Sequence, residues 1–166
     1  MRKLIAVACT AALVLIIGTP ADGTPATRMA FEGFIHFCVG NPPHELKVTP
    51  GGTVRLKATN QNLWAVNNPL IDGIETNVTS VNLNPSGGNV YLDVTLEPFA
   101  VDGTWEITQT IQVQKDGTAI GHGVGHGTGD ILGMTIKYTA GPTLIVPNPC
   151  SDFPSAVISG VIILPN

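Results

Sequence analysis

The stretch from Gly103 to Tyr138 constrains the fold of this chain more than any other. Apolar and polar side chains alternate from Trp105 to Val113, and the chain then reaches Lys115-Asp116-Gly117. A second alternating run follows with glycine at every other position, and a third begins after Thr128-Gly129-Asp130. Alternation with a period of two is the pattern of a β-strand that buries one face, and short glycine-containing segments between such runs are typical of hairpins. The stretch therefore predicts a three-stranded antiparallel meander.

The rest of the chain predicts further strands and a closed sheet. Proline- and glycine-containing segments separate runs at Ala30–Cys38, Leu46–Thr49, Val54–Thr59, Ile74–Leu83, Asn89–Leu96 and Ser155–Leu164. The last run is very apolar and would be an aggregation-prone edge unless it paired with the first strand. We therefore predict an all-β fold, an antiparallel closed barrel of about eight strands in an up-and-down meander. Residues 60–73 are expected to form an irregular loop, in which Trp64 either plugs one end of the barrel or stacks on a ligand.

The N-terminus has the features of a secretory signal peptide. Arg2 and Lys3 precede an apolar run, and small residues at 19–21 or 24–26 offer cleavage sites. A membrane anchor is the alternative, although the apolar run is short for a membrane span. We assign residues 1–21 to the signal peptide, 22–29 to a flexible leader and 30–166 to one barrel domain, secreted or periplasmic.

Charge and cysteine content fit an exported protein. Loss of Arg2 and Lys3 would leave six basic residues against twelve acidic ones, so the mature chain is acidic and has no basic run. Nucleic acid and an anionic membrane surface are therefore not expected partners. Cys38 and Cys150 remain after cleavage, and an even pair in an oxidising compartment predicts a disulfide between the end of the first strand and the segment before the last. The alternative is that both stay as buried thiols. Asn77-Val78-Thr79 is a glycosylation sequon, relevant only in a eukaryotic host.

The length of the turn at Lys115-Asp116-Gly117 decides which face of the next strand points inward. A two-residue turn at Asp116-Gly117 would direct the histidines inward with Ile120 and Val124, whereas a three-residue loop would shift the register by one and direct the glycines inward. The two apolar residues favour the histidine-inward register, in which Leu132, Met134, Ile136 and Tyr138 also face in. The predicted ligand-binding residues are Trp105, Gln109, His122, His126, Met134 and Tyr138.

The sequence predicts no metal site, no cofactor and no assignable catalytic residue. Four residues along a strand span about 13 Å, whereas zinc holds its ligands at about 2 Å, so His122 and His126 do not form a chelate. The Gly-x-Ser-x-Gly elbow of esterases is absent. The glycine-rich strand lacks the Lys-Ser/Thr ending of a phosphate-binding loop.

One stretch resembles a known group of barrels. Gly103-Thr104-Trp105-Glu106, a glycine-rich strand and then Thr128 to Gly133 (TGDILG) resemble the later strands of secreted avidin-like and allene-oxide-cyclase-like β-barrel proteins. Ile107 stands where a glycine is expected after the Trp-Glu pair. The resemblance implies binding of a small apolar or amphipathic molecule, and no catalytic residue transfers with it.

Three functions fit this sequence. The first is a non-enzymatic carrier of a largely apolar ligand, and the second is a cofactor-free isomerase or cyclase that uses the same cavity. The third is a structural or adhesive surface protein with a packed barrel and no small-molecule site. A cavity inside the barrel distinguishes the first two from the third.

Overall fold

The computed structural model describes residues 26–144, 149–150 and 155–165. The predicted signal peptide lies outside these residues, as does most of the proline-rich crossing before the last strand. The described residues form nine strands and one short 3-10 turn. The strands are β1 (Arg28–Gly40), β2 (Glu45–Val48), β3 (Val54–Val66), β4 (Gly73–Asn84), β5 (Gly87–Pro98), β6 (Trp105–Gln114), β7 (Ala119–Gly127), β8 (Thr135–Leu144) and β9 (Ser155–Ile163).

Eight of these strands close into an antiparallel barrel, as the sequence predicts. Each strand from β3 to β9 pairs with the next, and β1 pairs with both β9 and β3. The predicted pairing of the first and last strands is therefore confirmed. The extra strand, β2, continues the line of β1 along β3 after the break at Asn41-Pro42-Pro43. Proline cannot donate to a ladder, so the Pro-Pro pair explains why one long strand becomes two.

The histidine-inward register of β7 is wrong. Gln114 N–H donates to the carbonyl oxygen of Thr118 at 2.8 Å, so residues 115–117 form a three-residue loop. Gly117 has φ +86°, a left-handed conformation that favours glycine. The register consequently pairs Gln109 with Gly123, and the glycine side of β7 faces the interior. His122 and His126 face solvent.

The prediction for β7 assumed that its apolar side chains face the interior, but two of them lie on the outer surface. Ile120 is 40% exposed and Val124 is 43% exposed. β-Branched side chains pack well on the pleated outer surface of a sheet even when half of their area is exposed. The inward positions must instead be glycine, because neighbouring groups occupy the space in front of them. These groups are side chains of β6 and β8 at Gly121, Gly123 and Gly125, and Ile131 of the 3-10 turn at Gly127.

Two further expectations need correction. The predicted irregular stretch at residues 60–73 is a strand as far as Val66, because the alternation of β3 continues through asparagines at inward positions. Leu132 does not face the interior. It lies after the 3-10 turn at Gly129–Ile131 and is 73% exposed, whereas Ile131 takes the buried position.

The two ends of the barrel differ. At one end, here called the closed end, the interior is filled by fully buried side chains from the strands and from the loops that fold over them: Trp64, Ile71, Leu96, Trp105, Ile131, Ile136 and Ile162. Trp105 Nε1–H donates to the carbonyl oxygen of Leu70 at 2.7 Å and holds the β3–β4 loop across this end. At the opposite, open end the inward side chains of β6, Ile111 and Val113, are only half-buried.

The predicted disulfide joins Cys38 to Cys150. It connects the end of β1 to the segment that leads into β9, two strands that are already paired at the seam of the barrel. Among the described residues, no helix is long and apolar enough to cross a membrane.

Candidate functional site: the barrel interior at the open end

Polar side chains form a ladder on the inner wall made by β3 and β4. Asn60, Asn62 and Trp64 point inward from β3, and they face Glu75, Asn77 and Thr79 on β4. The backbone register places Asn62 directly opposite Glu75 and Asn60 opposite Asn77. Directly opposite residues of an antiparallel pair lie on the same face with their Cβ atoms about 5 Å apart, so the ladder is continuous.

Glu75 is the centre of this ladder. It is 1% exposed, and its Oε1 accepts hydrogen bonds from Asn62 Nδ2 at 2.8 Å and from Asn77 Nδ2 at 2.5 Å. Its Oε2 accepts a hydrogen bond from Trp64 Nε1. Burial raises the pKa of the Glu75 carboxyl above its ordinary value, because the charged form loses its hydration, and the three N–H donors offset part of that rise.

The ladder continues from Glu75 towards the open end. Asn77 Oδ1 accepts hydrogen bonds from Thr79 Oγ1 at 2.7 Å and from Asn60 Nδ2 at 3.3 Å. Asn60 Nδ2 also lies 3.0 Å from Thr79 Oγ1. A fully connected network of this kind holds its side chains in one arrangement, since moving one member would leave a buried partner without a hydrogen bond.

Tyr138 and Gln109 lie across the barrel from the ladder. The Tyr138 hydroxyl donates to Gln109 Oε1 at 3.1 Å, and the Tyr138 ring meets Trp64 edge-on at a centroid distance of 5.1 Å. Burial raises the pKa of Tyr138 well above its ordinary value, and the negative charge of Glu75 adds to that rise. Tyr138 fits only because Gly123 stands opposite it. A Cβ atom at Gly123 would lie 2.2 Å from the ring.

A cavity of about 110 Å³ lies between these groups and the open end. Its wall is mostly apolar, and its polar members are Asn62, Glu75 and Gln109. The apolar lining consists of Ile35, Phe37, Leu92, Ile111, Ala119, Gly121, Ala140, Gly141 and Ala156. An apolar cavity of roughly 150 Å³ accommodates benzene, so this space fits a few waters or the end of a larger molecule.

Beyond the cavity, the sheet continues as an apolar shelf on one side of the open end. Residues that pair across adjacent strands lie on the same face of the sheet. Two rows of such paired residues begin at Leu46 and Val48 on β2, cross β3, β4 and β5, and reach β6, a strand that lines the cavity. We call this surface the shelf, and it comprises Leu46, Val48, Val54, Leu56, Val81, Leu83 and Val90. Leu46 is 60% exposed and Val48 is 62% exposed. The shelf therefore extends the apolar surface of the cavity into solvent.

The structure separates the six predicted ligand-binding residues. Gln109 borders the cavity, and the Tyr138 hydroxyl donates a hydrogen bond to Gln109. Trp105 is fully buried at the closed end, and Met134 packs against the core nearby. His122 and His126 lie on the outer surface, each with Nδ1 at 3.4 Å from a threonine hydroxyl on β8. The predicted group therefore does not form one site.

Sequence reasoning missed the residues that carry most of the polarity of the interior. The sequence pattern predicts a loop at Asn62 and a glycosylation sequon at Asn77, and it does not predict that Glu75 faces inward. A signal was present, since the period-two pattern of β3 runs unbroken through Ala58, Asn60, Asn62 and Trp64. The sequon at Asn77 has a structural role instead, because its side chain is 2% exposed and hydrogen-bonded to Glu75 inside the barrel.

Among the described residues, no group of three histidine, cysteine, aspartate or glutamate side chains is placed to hold a metal ion. His36 is buried, with 7% of its area exposed, and its Nδ1 lies 2.7 Å from Ser155 Oγ. A scan of protein-family models and searches of curated proteins and of solved structures found no match to this chain. The fold and the interior geometry are therefore the basis for any functional argument.

Proposed function

We propose that this chain is an exported barrel protein that binds a small, largely apolar molecule without changing it. The observation that carries the proposal is the cavity at the open end, apolar in its walls and polar at three positions. Binding sites for small molecules are typically concave and apolar with a few fixed polar groups that orient the ligand. The hydrogen-bonded ladder supplies such groups already in place.

Export is supported by the disulfide and by the N-terminal sequence. A disulfide persists in an oxidising compartment outside the cytosol, and Cys38 is bonded to Cys150. The basic start and apolar run of residues 1–21 have the composition of a secretory signal. The proposed resemblance to secreted avidin-like and allene-oxide-cyclase-like barrels agrees with both features.

Native mass spectrometry of the mature protein, purified from its own source, tests this proposal. We expect a bound mass that disappears on denaturation, and the lost mass begins to identify the ligand. A protein that carries no extra mass in the native spectrum would contradict the carrier function. The N-terminal residue read from the denatured sample also tests the predicted cleavage after residue 21.

One observation favours a cofactor-free isomerase or cyclase as the second candidate. Glu75 is a buried carboxyl group with a raised pKa at the edge of the cavity, and perturbed acids in cavities are frequent catalytic groups. The test is incubation of the protein with the molecule found in the native spectrum. Conversion by the wild type that is lost in Glu75→Gln, with binding retained, supports this candidate. Recovery of the unchanged molecule contradicts it.

A further inference from the structure

Two side-chain atoms on the cavity wall have no hydrogen-bond partner among the described residues: Gln109 Nε2, and Asn62 Oδ1, whose amide nitrogen donates to Glu75. Gln109 is 5% exposed, and its Oε1 accepts from the Tyr138 hydroxyl. Its Nε2 donates to no described residue, although every fully buried side-chain nitrogen and oxygen in the described chain has a partner. The Nε2 group therefore reaches open space, and the space that Gln109 borders is the cavity. A buried amide with two unused N–H donors calls for an oxygen acceptor.

The charges around the cavity limit what that acceptor can be. The six basic residues of the described chain are all exposed, and the lining of the cavity includes none of them. A ligand carboxylate would therefore be buried without a cation and beside Glu75, which is unfavourable on both counts. An ammonium group could approach Glu75 but cannot accept the N–H of Gln109. An uncharged oxygen meets the requirement of Gln109 without a charge cost.

The shape of the open end indicates where the rest of the ligand lies. The cavity holds only a few heavy atoms at 110 Å³, whereas the shelf continues its apolar wall outward. The exposed apolar side chains of Leu46 and Val48 would lose contact with water against a hydrocarbon chain. The polar end of a ligand then points inward and its apolar chain lies outward along β2 to β5.

We propose that the cavity binds the uncharged carbonyl or hydroxyl oxygen of a chain-like apolar molecule, with Gln109 Nε2 as the donor. This assignment rests on the proposed carrier function and names its ligand class. Gln109 positions the ligand, while Asn62 and Glu75 set the polarity around the bound oxygen. Long-chain ketones, aldehydes and alcohols belong to this class, and fatty acids and alkylamines do not.

Three probes of equal chain length test the assignment on the wild-type protein at neutral pH: 2-octanone, octanoate and octylamine. Isothermal titration should give 2-octanone an affinity at least about tenfold higher than that of either charged probe, because burial of an unpaired charge is costly. Gln109→Met should weaken 2-octanone binding by about threefold to tenfold, the loss expected for one neutral hydrogen bond. Gln112→Met, on the outer face of the same strand, is the matched control and should leave binding unchanged.

Equal or tighter binding of octanoate or octylamine would overturn the assignment, as would equal affinities of Gln109→Met and Gln112→Met for 2-octanone. In both cases binding itself is demonstrated, so the failure concerns the ligand class and not the capacity of the barrel to bind a small molecule. If no probe binds but the native spectrum shows a resident molecule, only the ligand class is wrong. If no probe binds and the spectrum shows none, both proposals fail. The comparison of probes uses the wild type, so it stands even if Gln109→Met does not fold.

Discussion

Gly123→Ala tests the orientation of β7 directly. A Cβ atom at this position would lie 2.2 Å from Cζ and 2.3 Å from Cε1 of Tyr138, and 2.5 Å from its hydroxyl oxygen. The ring cannot retreat easily because it already meets Trp64 at 5.1 Å and is 5% exposed. A methyl group at Gly123 must therefore displace Tyr138 and its hydrogen bond to Gln109.

The expected loss of stability combines three terms. Overpacking a well-packed core by one methyl group costs roughly 1–3 kcal/mol, and loss of a buried hydrogen bond adds roughly 1 kcal/mol. Replacement of glycine by alanine within a strand returns about 0.5–1 kcal/mol through reduced entropy of the unfolded chain. The free energy of unfolding should thus fall by about 1–3 kcal/mol.

Urea denaturation followed by tryptophan fluorescence measures this change, since Trp64 and Trp105 are both fully buried. His122→Ala is the matched control on the outer face of the same strand and should stay within about 0.5 kcal/mol of the wild type. In a Tyr138→Ala background, Gly123→Ala should be neutral or stabilising, because the obstructing ring is gone. The reasoning is refuted if Gly123→Ala stabilises the wild type while His122→Ala destabilises it, since that pattern belongs to the histidine-inward register.

Two further predictions concern the seam and the ladder. The Cys38→Ser/Cys150→Ser double variant should lose about 2–5 kcal/mol in urea denaturation, because the bond closes a loop with a sequence separation of 112 residues; equal stability of oxidised and reduced wild type would contradict this. The stability of the wild type relative to Glu75→Gln should be highest below pH 4.5, the ordinary pKa of a glutamate. It should fall as the pH rises through the raised pKa of the folded state, because the folded protein then holds a proton that the unfolded chain releases. Thermal unfolding between pH 4 and 8 measures the difference, and a constant difference would show that burial does not raise this pKa.

The alternation of side chains along single strands is sufficient to predict much of the barrel. The alternation of β6 places Trp105, Ile107 and Gln109 inward, and the structure confirms each of them. The closure of β9 on β1 followed from the argument that an apolar last strand needs a partner. These features depend on one strand or on a general property of edges, so the sequence alone specifies them.

The orientation of β7 depended on information that one strand does not contain. Asp116-Gly117 is compatible with two turn lengths, and the choice between them reverses every side chain that follows. Only glycine fits the inward position 123, because the Tyr138 side chain from β8 occupies the space in front of it. This is a contact between separate strands. Counting apolar residues on β7 alone therefore gave the wrong face.

The polar ladder was missed for a related reason. Asparagine is uncommon in strands, so the sequence pattern predicts a loop where β3 continues through Asn60 and Asn62. Glu75 is stable inside the barrel only because donors from β3 reach its two oxygens. A buried carboxyl can be predicted only when its partners are known, and these become neighbours through the pairing of β3 with β4.

The ends of the described domain lie side by side, and this has a consequence for how the barrel can be presented. Arg28 pairs with Ile163, and Leu164 N–H donates to the carbonyl oxygen of Thr27 at 2.9 Å. Both ends leave from the closed end, opposite the cavity and the shelf. A surface, a fusion partner or a second domain attached at either terminus would therefore leave the cavity facing outward. A short peptide joining the two termini, with new ends cut at Lys115-Asp116-Gly117, should preserve every strand pairing.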